Sequence, residues 1–214
     1  MRDFSRRSFL GFGLGSLALA ACGSRSASSA PRDALVPTTH IEDEDDLPPV
    51  PLAACTAAVT AKNIEGPFYK KGAPHRSVLV DSSDAGERLR LTGVLQNTRC
   101  ELIGGATIDV WQANAAGEYD NDGFRFRGVM TTDKRGRYDL RTIVPGRYLN
   151  GDRYRPAHVH IKVRAAGFAV LTTQLYFAGD PYNDGDPFID STLIMQHALE
   201  GDIRRARFDF VLPA

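Results

Sequence analysis

Beyond residue 85 the chain alternates apolar and polar residues in short runs separated by turn residues, with no long stretch of 3.6-residue periodicity. Side chains on a strand point to opposite faces in turn, so segments 88–95, 105–112, 126–132, 136–143, 157–164, 170–178 and 206–212 predict strands. Asp133-Lys134-Arg135-Gly136 predicts a tight hairpin turn and Pro145-Gly146 a second turn. Strands of this length and spacing predict an all-β, two-sheet β-sandwich with short helical and loop excursions. The helical candidate is 191–203, which Gly201 interrupts. Phe188, Ile189 and Leu193 are expected to cover one edge of the sandwich, with His197 beside them as a structural or exposed residue. Trp111 falls inside a predicted strand and is expected in the core rather than in a pocket.

The first residues follow another pattern. Ser5-Arg6-Arg7-Ser8-Phe9-Leu10 forms a twin-arginine pattern, followed by an apolar run from Phe9 to Ala21. These 13 residues fall short of the roughly 20 that span a bilayer, which favours a signal peptide over residues 1–21. The run closes on Leu19-Ala20-Ala21-Cys22, which resembles the lipobox of bacterial lipoproteins, where the cysteine is lipidated; cleavage near Ala21 with an incidental Cys22 is the alternative. Twin-arginine export carries folded proteins, a route often used when a cofactor is inserted first. The expected location is therefore periplasmic or at the cell surface, with the membrane reached only through Cys22.

Residues 22–51 are rich in Ser, Ala and Pro and carry the acidic run Glu42-Asp43-Glu44-Asp45-Asp46. Such a stretch buries too little apolar surface to offset its ordering entropy and is expected to be a flexible tether, with no specific role for His40. The folded domain is expected over 52–214. Its remaining cysteines, Cys55 and Cys100, meet an oxidising compartment. A disulfide between them is expected to tie the leading segment to the first hairpin, with two buried thiols as the alternative.

Charge narrows the partners. Lys plus Arg and Asp plus Glu both number 26. Losing residues 1–21 removes three arginines and one aspartate and leaves a formal charge of −2. No basic field attracts nucleic acid, and electrostatics alone would not hold the chain on a membrane. A partner has to be argued from a site.

His158 and His160 stand at i and i+2 in Ala157-His158-Val159-His160-Ile161, so both imidazoles share one face while Val159 and Ile161 mark the other. On a sandwich such a pair is either a solvated face or a zinc, copper or iron pair. Tyr119 and Tyr148 precede it at turns, where a tyrosine can also cap a sandwich corner.

These residues belong to a longer series of motifs: Glu65-Gly66-Pro67-Phe68-Tyr69, Gly105–Gln112, Gly117-Glu118-Tyr119, Phe126-Arg127-Gly128, Thr142–Tyr148, Arg155-Pro156-Ala157-His158-Val159-His160 and Gln174-Leu175-Tyr176-Phe177. In order and spacing, from about Ala54 to Phe177, the series resembles the intradiol ring-cleavage dioxygenases, the catechol, hydroxyquinol and protocatechuate enzymes. The resemblance implies a prealbumin-like sandwich and one non-haem Fe(III) per chain held by Tyr119, Tyr148, His158 and His160. It implies active-site roles for Arg155, which would stabilise charge on the substrate, and for Gln174, which would orient towards Arg155 or towards the reacting oxygen. The implied reaction takes a catechol-type substrate and O2, and cleaves the ring between its two hydroxyl-bearing carbons to a cis,cis-muconate. Tyr148 would be the ligand that leaves, while Tyr119 stays.

Elementary chemistry agrees with that donor set. A free phenol ionises only near pH 10, but a ferric ion can hold it as phenolate at neutral pH. Two tyrosinates and one hydroxide balance three positive charges, and a neutral centre costs far less to bury than an unpaired ion. A catechol brings two ionisable protons; hydroxide takes one and the departing tyrosinate the other, which preserves the balance. Gly66, Pro67 and Phe68 are expected to wall the pocket, since glycine permits close approach and phenylalanine offers a ring face.

The stretch from Tyr148 to Arg155 is shorter than in protocatechuate enzymes, and Leu149 and Asn150 stand where those carry a tryptophan, which points away from protocatechuate. The helical dimerisation region of the catechol and hydroxyquinol enzymes has no counterpart, so the oligomeric state stays open, a homo-oligomer included. Two other readings compete. Gly104–Val110, Thr131–Tyr138 and Pro145–Tyr148 also resemble non-catalytic prealbumin-like binding modules, and a periplasmic copper or zinc carrier could use the same two histidines.

Overall fold

A computed structural model of the chain describes residues 58–214, which lie in one compact unit. The expected signal peptide, Cys22, the tether and Cys55 lie outside the described residues. Among the described residues twelve strands form three sheets. Strands β1 (Arg88–Asn97), β4 (Arg137–Ile143), β10 (His197–Glu200), β11 (Ile203–Arg207) and β12 (Phe210–Leu212) make one sheet in the order β10-β11-β1-β12, with β4 also paired to β1. Strands β2 (Thr107–Trp111), β3 (Arg127–Thr131), β7 (His158–Arg164), β8 (Leu171–Phe177) and β9 (Ile194–Met195) make the other in the order β3-β2-β7-β8-β9. Strands β5 (Tyr148–Asn150) and β6 (Arg153–Arg155) form a separate hairpin.

The core lies between the two large sheets, where alternate residues of each strand meet. Leu89, Leu91 and Leu140 face Ile108, Val159, Ile161, Val163 and Leu175 within one buried apolar cluster. Strand β7 departs from a one-sided strand, because His158 through Val163 are all buried. Val159, Ile161 and Val163 point into the sandwich, whereas His158, His160 and Lys162 point outward beneath a second layer of chain.

The seven predicted strands are present, with three differences. First, β1 and β2 lie in different sheets, as do β3 and β4, so the turn at Asp133–Gly136 crosses between sheets instead of closing a hairpin. Its geometry is still tight: Gly136 N donates to the Asp133 carbonyl at 2.9 Å, and the Asp133 side chain accepts from Arg135 N and Arg137 N. Second, the helical candidate 191–203 is a 3-10 turn at Ser191–Leu193 followed by β9, β10 and the start of β11. Gly201, with φ of 58°, makes the turn of the β10–β11 hairpin, and pairing of β9 with β8 and of β10 with β11 overrides the local helical tendency. Third, the run 206–212 is split between β11 and β12, both parallel to β1. His197 is structural, bonded to the Ala178 carbonyl at 3.0 Å and to Arg204 at 2.7 Å. Leu193 is fully buried at the sandwich edge, and Ile189 packs against the same cluster. Cys100 is disulfide-bonded; its expected partner Cys55 is outside the described residues.

Ile161 sits at the centre of β7 with 0% exposure, between the two sheets. Ile161→Ala is expected to lower unfolding free energy by about 2–5 kcal/mol through lost transfer energy and the cavity left behind, read by urea denaturation.

Candidate metal centre

Four rings meet at the start of β7. His158 and His160 point outward from the strand with ring centroids 4.8 Å apart. Tyr119 reaches them from the loop between β2 and β3, its Oη 3.3 Å from His158 Nε2 and 3.1 Å from His160 Nε2. Tyr148, the first residue of β5, lies with its ring 5.7 Å from Tyr119 and 5.7 Å from His158. Two backbones must approach closely for this: a Cβ on Gly117 would stand 2.2 Å from the Arg147 carbonyl oxygen, so glycine lets the Tyr119 loop pack on the chain entering β5.

The protonation pattern fits a cation. His158 Nδ1 lies 2.7 Å from the Pro156 carbonyl, which can only accept, so Nδ1 carries the proton and Nε2 presents its lone pair to Tyr119. His160 Nδ1 is buried without a partner among the described residues. Burial first, then the Arg155 charge, lowers the His158 pKa to about 4. Burial and the His158 neighbour push His160 well below its ordinary value. Both imidazoles are therefore neutral at neutral pH, as a metal donor must be. Burial and Tyr148 hold the Tyr119 phenol above its ordinary pKa, while Arg155 and Arg127 oppose this. Among the described residues no three of His, Cys, Asp and Glu gather around a metal, so a cation here draws on the phenol oxygens. Two imidazoles and two phenols suit a hard, highly charged ion, which turns the phenols into anionic donors.

Arg155 closes β6 directly opposite Tyr148 in the hairpin register. Its Nε donates to Asp186 at 2.7 Å, and its Nη2 donates to Gln174 Oε1 at 3.0 Å and to the Tyr176 hydroxyl at 3.2 Å. Burial pulls its pKa down, but the hydrogen bonds to Asp186 and Tyr148 more than restore it, so the guanidinium stays charged. Gln174 is oriented towards Arg155, the first of its two expected directions. Its Nε2 donates to the Ile64 carbonyl at 2.8 Å, which ties β8 to the segment leading into the domain. Burial pushes Tyr176 up to about 12, against the Arg155 charge, so it remains a hydroxyl and donates to Gln174. Breaking a buried pair such as Arg155–Asp186 typically costs about 3–5 kcal/mol.

The expected pocket wall is partly as foreseen. Phe68 stacks on Tyr119 at 4.2 Å and meets Tyr148 edge-on at 5.7 Å. Gly66 has φ of 70°, and a Cβ there would lie 3.3 Å from His160 Cε1. Pro67 is exposed. Trp111 is buried as expected, 1% exposed, but on the outward face with His160 rather than between the sheets, and its ring stacks on His160 at 4.7 Å, so it packs directly on the centre. Two buried charged residues lay beyond the sequence reading. Asp186 sits in the turn after the 3-10 segment Asn183–Gly185, where no strand periodicity marks it. Arg127, inside the Phe126-Arg127-Gly128 motif, bonds the Asp120 carbonyl through Nε and Nη2 and the Phe68 carbonyl through Nη1 at 2.6 Å. It thereby clamps the Phe68 segment to the Tyr119 loop.

Fold and site together define a β-sandwich with two tyrosines and two histidines, candidate metal donors, clustered on the outer face of one sheet. A protein-family model described as Dioxygenase matches residues 64–214. The chlorocatechol 1,2-dioxygenase of Pseudomonas putida is 34% identical over 176 residues, covering 72% of this chain and 68% of that protein. Catechol 1,2-dioxygenase 2 of Acinetobacter lwoffii is 34% identical over 69% of this chain and 62% of its own length. Among solved structures, the dioxygenase domain of a dioxygenase carbohydrate-binding protein fusion from Streptomyces sp. SirexAA-E superposes with a TM-score of 0.70 at 42% identity, covering 73% of this chain and 99% of that one. The chain belongs to the intradiol ring-cleavage dioxygenase family. It spans 68% and 62% of the two curated relatives' lengths.

The neutral histidines set a pH dependence. His158 has a folded pKa of about 4 against an ordinary 6.5, so below 6.5 the unfolded chain takes up a proton that the folded chain refuses. Its contribution is whole above 6.5 and is lost as pH falls towards 4; His160 acts in the same direction. Metal-free protein is expected to lose stability over this window in urea titrations at pH 7, 6, 5 and 4, and a flat profile would refute neutral burial of the pair.

Proposed function

We propose that the chain is a non-haem Fe(III) dioxygenase that opens a catechol-type ring with O2 between its two hydroxylated carbons, giving a cis,cis-muconate-type dicarboxylate. The observation that carries this reading is the meeting of Tyr119 Oη with both histidine Nε2 atoms within 3.3 Å, beside the Tyr148 ring. Bound Fe(III), held by Tyr119, Tyr148, His158 and His160, would supply the Lewis acidity that keeps phenols ionised at neutral pH and activates a catecholate towards O2.

The residues divide the remaining tasks. Tyr119 is stacked under Phe68, which suits a ligand that stays. Tyr148 stands on the small β5–β6 hairpin outside the two large sheets, which suits a ligand that leaves and whose phenolate takes a substrate proton. Arg155 places a fixed guanidinium beside Tyr148, where it can stabilise negative charge developing on the ring oxygens. Gln174 and Tyr176 hold that guanidinium and carry no proton away. Phe68 and Trp111 cover the ligand rings with apolar faces and keep water from them. Catechols without a carboxylate on the ring are the favoured substrates, because the Arg155 charge is already balanced by Asp186.

Iron-loaded protein is expected to be wine-red from tyrosinate-to-iron charge transfer, with the band shifted by catechol. Tyr119→Phe is expected to weaken iron binding by more than about 100-fold, since even residues that only support a metal ligand cost 10–100-fold. Oxygen uptake with catechol, hydroxyquinol and substituted catechols is expected to yield ring-opened dicarboxylates. A colourless iron-loaded protein would instead favour a binding module or a metal carrier, and a semialdehyde product would rule out cleavage between the hydroxyls.

Export with lipid attached at Cys22 is part of the same proposal. A radiolabelled fatty acid is expected to enter the wild-type chain in a bacterial host and not Cys22→Ser, and equal labelling of both would remove the anchor.

A further inference from the structure

Arg155 carries a long side chain whose guanidinium must be aimed for its charge to be useful. Four hydrogen bonds to residues beyond the β5–β6 hairpin aim it, in addition to the Tyr148 side chain opposite it. Two go to Asp186, from Nε at 2.7 Å and from Nη2 at 3.4 Å; the other two run from Nη2 to Gln174 and Tyr176. Gln174 and Tyr176 are neutral, so Asp186 is the anionic partner among these three. Its side chain is 0% exposed and that of Arg155 4%, and without competing water the pair is strong and directional.

The Asp186 carboxylate is set before it meets the arginine. Asp186 N donates to the Asn183 carbonyl at 3.3 Å, and Asn183 Nδ2 donates to the Phe177 carbonyl at 2.9 Å, which anchors the turn to the end of β8. Asp186 Oδ1 also accepts from Phe188 N at 2.7 Å. The Phe188 ring lies 4.9 Å from the guanidinium carbon and closes the same side. Nε and Nη2 are thus occupied from the turn and from β8, and Nη1 is the nitrogen outside these four bonds.

We infer that Asp186 is a positioning residue for ring cleavage: from the turn after Asn183–Gly185 its carboxylate fixes the direction in which Arg155 presents Nη1 to the substrate. It never touches the substrate. The pair is neutral as a whole, so Arg155 acts by an aimed hydrogen bond rather than as a free charge. The inference rests on the dioxygenase reading for the task of Arg155, but the aiming itself is a property of the folded chain.

Asp186→Asn, loaded with iron to the wild-type level, is expected to lower kcat about 100-fold, the scale of a misplaced catalytic group, while KM changes less than about threefold and the visible absorption band is kept. In an Arg155→Gln background the same substitution is expected to change kcat less than about twofold, because the group it positions is already gone. Wild-type kcat in folded, iron-loaded Asp186→Asn, or an equal further loss in the Arg155→Gln background, overturns the inference. Should Asp186→Asn not fold, Asp186→Glu keeps the charge and displaces it by one methylene. In the gallium(III)-loaded chain, which has no redox chemistry, Arg155 Nε–H is then expected to exchange with solvent at least about tenfold faster than in wild type, and equal protection overturns the inference. An iron-loaded wild-type chain that opens no catechol ring sinks the dioxygenase reading alone, and the exchange measurement still decides whether Asp186 aims the arginine.

Discussion

Strand β7 is buried on both faces, and the centre depends on how differently the two faces meet that constraint. Val159, Ile161 and Val163 meet the other sheet's leucines, where dispersion and exclusion of water need no direction. His158 and His160 face outward, where burying a neutral ring costs far less than burying an imidazolium. The same desolvation that would penalise an imidazolium keeps both rings unprotonated, so the lone pairs a metal requires are a by-product of the covering layer. Burial and ligand chemistry are here one physical effect.

The cover is assembled from segments that strand periodicity does not describe. The leading segment brings Gly66 against His160 and Phe68 onto Tyr119. The β2–β3 loop brings Tyr119, the β5–β6 hairpin brings Tyr148 and Arg155, and the turn after Asn183–Gly185 brings Asp186. Two buried arginines join these pieces in different ways. Arg127 bonds backbone carbonyls of the Phe68 and Tyr119 segments and works as a clamp. Arg155 is held by side chains from β8 and the turn, an arrangement that orients a charge instead of merely satisfying it. An aromatic stack such as Phe68 on Tyr119 adds about 0.5–1.5 kcal/mol and leaves no room for water between the rings.

Much of this was legible beforehand because it is local. Alternation around Val159 and Ile161 placed the two histidines on one face, and the turns at Asp133–Gly136 and Pro145-Gly146 marked the ends of β3 and β4, which with the strand spacing was enough to predict a sandwich. Connections between the sheets were not legible: Asp133–Gly136 has the residues of a hairpin turn, but the sheet each strand joins depends on which partner buries its apolar face. The segment 191–203 read as a weak helix for the same reason, since its strand state is supplied by pairing of β9 with β8 and of β10 with β11.

By itself, then, the sequence determined the strand-forming alternation, the candidate donor types and the motif order that resembles one enzyme family, all properties carried by neighbouring residues or by residue chemistry. Tertiary structure alone decided that the histidine face is covered, that Trp111 lies flat on His160, and that Asp186, 31 positions beyond Arg155, is its partner. Those facts depend on how distant segments fill one another's space, and a buried ion pair leaves no periodic trace along a chain.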